Sequence, residues 1–204
     1  MDYKVEIVQK ETCYQGFFRL ERYRLRHSLF RGGWSPELAR ELLERGHAAA
    51  VLLYDPDRDS VVLIEQFRIG ALDAPGGPWL LEIVAGIIGG DETAADVARR
   101  ESAEEAGCRV LDLIPICEYF VSPGGTSERI TVYCGRVDAA DVGGIHGLAQ
   151  EGEDIRVHVV PFADALEMLR TGRIDSASPI IALQWLALHR EEVRQRWLGD
   201  GSAS

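Results

Sequence analysis

The sequence predicts an α/β protein with a small β-rich unit at its N-terminus. Three observations carry this. Apolar residues alternate with period two up to about Gly46, paired apolar runs flank turn residues from Ala48 onward, and helical stripes appear mid-chain and near the C-terminal end. At 204 residues and 46% apolar composition, the chain can bury the core of one domain plus an appendage. The expected division is a β-rich unit over 1–46 and a larger α/β domain over 47–204.

In the first unit Tyr3, Val5 and Ile7 alternate, as do Phe18 with Leu20 and Tyr23 with Leu25. The parity slips between these sets, which predicts a bulge or turn inside a ribbon. Residues 35–45, SPELARELLER, read equally as helix and strand: Ser-Pro-Glu resembles a helix start, yet the segment runs straight into a strand-like stretch. AAAVLLY and VVLIEQF around DPDRDS form a hairpin. Further strands are expected over 79–85, 111–120, 130–137 and 155–160, with SPGGTSE as a loop and helices near 163–170 and 179–197. No internal repeat is visible.

Thirty-three acidic against 22 basic residues leave a net charge of -11, which argues against nucleic acid or an anionic membrane as partner. No run approaches the roughly 20 apolar residues that span a bilayer, and the N-terminus lacks a signal-peptide core. Cys13, Cys108, Cys117 and Cys134 show no C-x-x-C pairing and read as reduced, buried thiols. A cytoplasmic location is the resulting expectation.

The chemistry concentrates in residues 86–108, GIIGGDETAADVARRESAEEAGC. Thr93 with Asp96 is a capping signal and Gly107 a stop, so a helix is expected over 94–106. At roughly 100° per residue, Glu101, Glu104 and Glu105 share a sector of about 100°, beside a face of small residues that includes Ala98, Ser102 and Ala106. Such carboxylates repel each other. Solvation with the neighbouring Arg99 and Arg100 is one answer; hard divalent cations among the oxygens is the other. The glycines at 86, 89 and 90 lack the G-x-G-x-x-G and Gly-Lys-[Ser/Thr] patterns of nucleotide-binding loops.

Gly86, Glu92, Arg100, Glu101, Glu104, Glu105 and Gly107 fit G-x5-E-x7-R-E-U-x-E-E-x-G-U, with Ser102 and Cys108 in the two U places. By this stretch the chain resembles the Nudix hydrolases. By GFFRLERYRLRH, FVSPGGTSER and HGLAQEGEDIRVHVV, with Pro123 fifteen residues beyond Cys108, it is most similar to the bacterial ADP-ribose pyrophosphatases among them. The resemblance implies an α/β/α sandwich with a mixed sheet. It also implies two or three Mg²⁺ ions per site, with Mn²⁺ as an alternative, and hydrolysis of ADP-ribose to AMP and ribose 5-phosphate.

Carried onto this sequence, the resemblance gives metal ligation to the Ala85 carbonyl, Glu101, Glu105 and Glu153, with Glu104 as a weaker ligand. Glu151 becomes the general base, although Glu151 and Glu153 can exchange these roles. Arg100 orients the acids. Phe17 and Phe18 lie near the adenine, Arg40, Arg45, Arg68 and Glu128 contact base, phosphate or ribose, and Ile87 with Ser122, Pro123 and Gly124 lines the remainder. The N-terminal unit is expected to be exchanged in a domain-swapped homodimer. Two alternatives stand: another nucleoside diphosphate sugar such as GDP-mannose as substrate, and a non-catalytic module that binds ADP-ribose as a sensor. The survival of Glu101, Glu104 and Glu105 speaks against the second.

Overall fold

The computed structural model describes residues 3–199, without the side chain of Glu151. The chain falls into two compact units, one running through His47 together with Tyr119–Ile130, the other formed by Ala48–Glu118 and the chain from Thr131 onward.

In the first unit, β1 (Val5–Gln15), β2 (Arg19–His27) and β3 (Leu38–Glu44) make an antiparallel sheet in the order β1-β2-β3. The ambiguous stretch over 35–45 therefore holds a strand, Leu38–Glu44, and no helix. The hydrogen-bonded edge of β2, in register from Arg19↔Glu44 to Leu25↔Leu38, outweighs the helix propensity of LARELLE. The irregularities of the ribbon sit in β1, between Ile7 and Gln9 and between Thr12 and Tyr14, whereas β2 pairs with β3 without a break. Apolar residues of β2 thus occupy both of its faces.

The second unit is built on a mixed eight-stranded sheet. Its elements are β4 (Ala48–Asp55), β5 (Ser60–Phe67), β6 (Trp79–Glu82), β7 (Val84–Ile87), α1 (Ala94–Ala106), β8 (Asp112–Phe120), β9 (Arg129–Arg136), β10 (Gly144–His146), β11 (Ile155–Pro161), α2 (Phe162–Arg170) and α3 (Ala177–Leu198). The strand order is β10-β11-β5-β4-β9-β8, with β6 on β5 and β7 on β4. The single strand expected over 79–85 is two strands, because the chain changes partner at the buried Ile83. That change carries Ala85 and Gly86 to α1.

Alternation along the strands sorts the two faces. Val51, Leu53, Val62, Ile64, Ile155 and Val157 form one core cluster with Ala98 and Ala106 of α1. On the opposite face the Tyr54 ring meets Phe162 and Trp197, from α2 and α3. Helices thus cover both sides, in the expected α/β/α sandwich. Cys108 and Cys134 are buried, but Cys13 and Cys117 are exposed. This corrects the expectation of four buried thiols: β1 is exposed along its whole length and β8 is the last strand of its sheet, so apolar neighbours there do not mean burial.

α3 is tied to the β4–β5 turn through Asp59, which adopts a left-handed φ of 50°. Asp59 Oδ1 accepts hydrogen bonds from Tyr54 Oη (2.7 Å) and Arg190 Nε (2.7 Å), and Oδ2 accepts from the same guanidinium. Burial pushes the Tyr54 phenol up to about 12. Replacing Asp59 by Ala leaves a half-buried guanidinium and a phenol short of a partner, so Asp59→Ala should lower unfolding free energy by about 1–3 kcal/mol in urea titration, with activity per folded molecule unchanged.

Candidate active site

α1 starts and stops where its sequence dictates. Thr93 Oγ1 accepts from the Asp96 backbone N–H (3.2 Å), and Asp96 Oδ2 accepts from the Thr93 backbone N–H (3.0 Å), closing a capping box. Gly107 ends the helix at φ 62°. Ser102, standing where an apolar residue is usual, is buried with its hydroxyl donated to the Ala98 carbonyl at 2.6 Å, so its polarity is satisfied inside the helix.

Against this helix lies β7, in register Ala50↔Ala85 and Ala49↔Gly86. A Cβ at Gly86 would stand 1.9 Å from Glu101 Oε1 and 2.3 Å from its Cδ, so the Glu101 carboxyl rests on bare backbone. One residue earlier, the Ala85 N–H donates to Glu105 Oε2 at 3.1 Å. Arg100 gathers the remaining acids. Its Nε donates to Glu92 Oε1 (2.8 Å), and its Nη1 to Glu101 Oε1 (2.7 Å) and Glu104 Oε2 (3.0 Å). Arg100 thus holds two of the three clustered glutamates, and Glu92 holds Arg100.

The loop before β11 is attached to the same helix. The Gly147 N–H donates to the Glu104 carbonyl at 3.2 Å, and Glu153 Oε2 accepts from the Leu148 N–H at 2.9 Å. Gly147, at φ 99°, leaves room for Glu153, whose Cβ would lie 2.7 Å from a Cβ there. Glu151 belongs to this loop, and its side chain lies outside the described residues. On the β5 side, Arg68 Nε donates to Glu82 Oε2 at 2.7 Å. Ile87 ends β7 and is exposed.

Burial acts most strongly on Glu105. Glu105 is 3% exposed, and burial pushes its carboxyl up to about 8; the charges of Glu101 and Glu153 add to this, while the Ala85 N–H and Arg68 oppose it. Glu101 is raised by burial, against Arg100. Among the described residues no three His, Cys, Asp or Glu side chains already converge as an ion cage. Glu101 and Glu104 are turned to Arg100, Glu105 to the Ala85 N–H and Glu153 to the Leu148 N–H. The donor set nevertheless fits a hard dication: carboxylate oxygens in a dry place, with repulsion that only added positive charge relieves.

The other expected residues belong to the first unit. Phe17 and Phe18 meet edge to face at 4.9 Å, and the Arg45 guanidinium sits 4.9 Å from the Phe18 ring centroid. Arg45 also pairs with the buried Glu128 at 3.4 Å, and burial raises that carboxyl. Arg40, Pro123 and Gly124 line a separate groove of about 410 Å³ with Val5, Ile7 and Tyr23. Ser122 starts the turn, its carbonyl accepting from Gly125 and Thr126. Sequence reasoning named one further contributor without giving it a role and missed another. Glu92 had a signal, its fixed place in the 86–108 pattern; Glu82 had none, since only strand pairing brings it to Arg68.

The raised Glu105 carboxyl has a consequence for stability. Because its folded pKa of about 8 lies above the ordinary 4.5, its contribution is fully present below pH 4.5 and is lost as pH rises through 8. In chelator, the wild-type melting temperature should therefore fall between about pH 5 and about pH 9. Glu105→Gln should flatten that fall and be the more stable protein at the alkaline end.

Comparison with known proteins places the chain in a family. The family model described as the NUDIX domain matches residues 44–183. The ADP-ribose pyrophosphatase of Escherichia coli (strain K12) is 54% identical over 193 residues, covering 95% of this chain and 92% of the relative. The GDP-mannose pyrophosphatase of Cronobacter sakazakii is 36% identical over 191 residues, covering 92% and 97%. Among solved structures, one titled as an ADP compounds hydrolase superposes with a TM-score of 0.72 at 20% identity over 94% of this chain and 97% of its own, which speaks for the fold. With the signature folded as helix and loop around its glutamates, and the family model spanning most of the sequence, this chain belongs to the Nudix family.

Proposed function

We propose that this protein is a Nudix pyrophosphohydrolase that cleaves ADP-ribose to AMP and ribose 5-phosphate. The observation that carries the chemistry is the buried Glu105 beside Glu101, with both carboxyls raised by burial and the second resting on Gly86. The substrate follows from the relatives: identity is 54% to a pyrophosphatase named for ADP-ribose and 36% to one named for GDP-mannose.

Glu101, Glu105, Glu153 and the Ala85 carbonyl are the residues that would hold Mg²⁺ or Mn²⁺, two or three ions in all, with Glu104 as the weaker ligand. When bound, the metal supplies charge neutralisation of the diphosphate and a lowered pKa for water. The protein's own groups do the rest. Arg100 holds Glu101 and Glu104 in position. Arg68 leaves Glu82 to take a phosphate oxygen. Glu151, with Glu153 as the second candidate, accepts one proton of the attacking water; the hydroxyl bonds to phosphorus, and the bridging oxygen departs with the other phosphate.

The N-terminal unit, over 1–46, serves in this reading as the dimerisation and substrate-contact domain, and 47–204 as the catalytic domain. Phe17, Phe18, Arg40, Arg45 and Glu128 are the residues that would hold base and ribose, and Ile87, Ser122, Pro123 and Gly124 are further substrate contacts in this reading. An eleven-residue β1 exposed throughout, with Val5, Ile7 and Val8 bare, supports a swapped homodimer. No helix among the described residues is long and apolar enough to cross a membrane. Four free thiols suit the reducing cytoplasm, and the net charge of -11 does not suit nucleic acid.

The test is release of AMP from ADP-ribose with Mg²⁺, beside a panel of other nucleoside diphosphate sugars. Glu105→Gln should lower kcat by about 100-fold or more while the protein stays folded. Gly86→Ala, which drives Glu101 off its seat, should cost about 10–100-fold. Undiminished turnover in Glu105→Gln, or in excess chelator, would sink the metal assignment.

A further inference from the structure

One buried polar group on β5 takes no part in the proposed chemistry. Gln66 is 7% exposed, and its Nε2 has no hydrogen-bond partner among the described residues. A buried amide without a partner destabilises the fold, and such groups are rare in native proteins unless something else is to satisfy them.

Strand register says where it lies. Gln66 is opposite Leu80, and Ile64 is opposite Glu82. Alternation puts Ile64, Gln66 and Arg68 on one face of β5, and Ile64 packs there with Ala98 and Ala106 of α1. The Arg68 N–H donates to the Pro78 carbonyl at 2.7 Å, so Arg68 stands beside Pro78, four residues before Glu82. To reach Glu82, the Arg68 side chain runs back along the ribbon past the Gln66 and Leu80 pair. The ion pair therefore spans the rung that Gln66 forms with Leu80. Arg68 is itself half exposed, and its charge acts on Glu105.

We infer that Gln66 is a further substrate contact: its carboxamide NH₂ donates to an oxygen of the bound diphosphate once Arg68 has turned from Glu82 to that same anion. This rests on the proposed function, which supplies the diphosphate. Neighbouring guanidinium and amide donors would bind one oxyanion together, and in the free protein the Arg68–Glu82 pair keeps water from the amide. The arrangement costs the free protein stability and returns it on binding.

The test uses Gln66→Met, similar in shape without the donor, and Gln66→Glu, which exchanges the donor for a negative charge. Melting temperature without substrate, kcat and KM are measured in the full-length enzyme. Gln66→Met should melt at or above the wild-type temperature, yet raise KM about tenfold or more, the size of a lost hydrogen bond to a charged group. Gln66→Glu should raise KM further by repelling the diphosphate. Both variants within twofold of wild-type KM and kcat/KM would overturn the assignment. So would a lowered melting temperature in Gln66→Met, which would mean that the amide is already satisfied inside the protein. If the wild type ignores ADP-ribose but hydrolyses another nucleoside diphosphate sugar, the substrate assignment falls and Gln66 is judged on that substrate. If it hydrolyses none, both fall.

Discussion

Carboxylates crowded onto one side of a short helix, one of them sealed from water, are the constraint around which the second unit is arranged. An isolated like-charge pair on a helix costs a few tenths of a kcal/mol, but burial multiplies the penalty because the charged form loses its hydration. Around α1 the protein answers with three devices. A guanidinium collects Glu101 and Glu104, a backbone N–H meets Glu105, and a glycine leaves space for a carboxyl against the strand. These devices accommodate the acids without abolishing their repulsion, which added positive charge would relieve.

The scaffold serves that arrangement. The break at Ile83 lets one stretch of chain serve two strands, so that Glu82 faces β5 and Ala85 faces α1. The capping box and the left-handed Gly107 hold both ends of the helix, and the 147–153 loop hangs from its Glu104 carbonyl. Opposite, the tie between Asp59 and Arg190 holds α3 to the other face of the sheet. Rigid support on both faces suits a site whose acids must stay close against their own repulsion.

Ion pairs in this unit divide by what they compete with. The pair of Arg190 with Asp59 closes on itself and fastens a helix. Those of Arg100 with Glu101 and Glu104, and of Arg68 with Glu82, join groups that a cation or an anion would want to take over. Held this way, these charged groups are satisfied in the protein's own hydrogen bonds, and in the proposed function ligand binding is an exchange of partners rather than a capture by bare charges.

Much of this was legible in the residues alone. The limits of α1, its caps, the grouping of Glu101, Glu104 and Glu105 and the hairpin after Ala48 all rest on signals a few residues long, set by backbone geometry and periodicity. The family followed from the spacing of seven positions in 86–108. What the sequence could not decide depended on distant partners. Whether 35–45 coils or extends was settled by the free edge of β2, and the partner change at Ile83 by two neighbouring strands. The exposure of Cys13 and Cys117 and the meeting of Glu82 with Arg68 likewise exist only after strands pair. Burial of Glu105 rather than Glu104 also needed the sheet, because a helix displays both carboxylates until a second layer covers one of them.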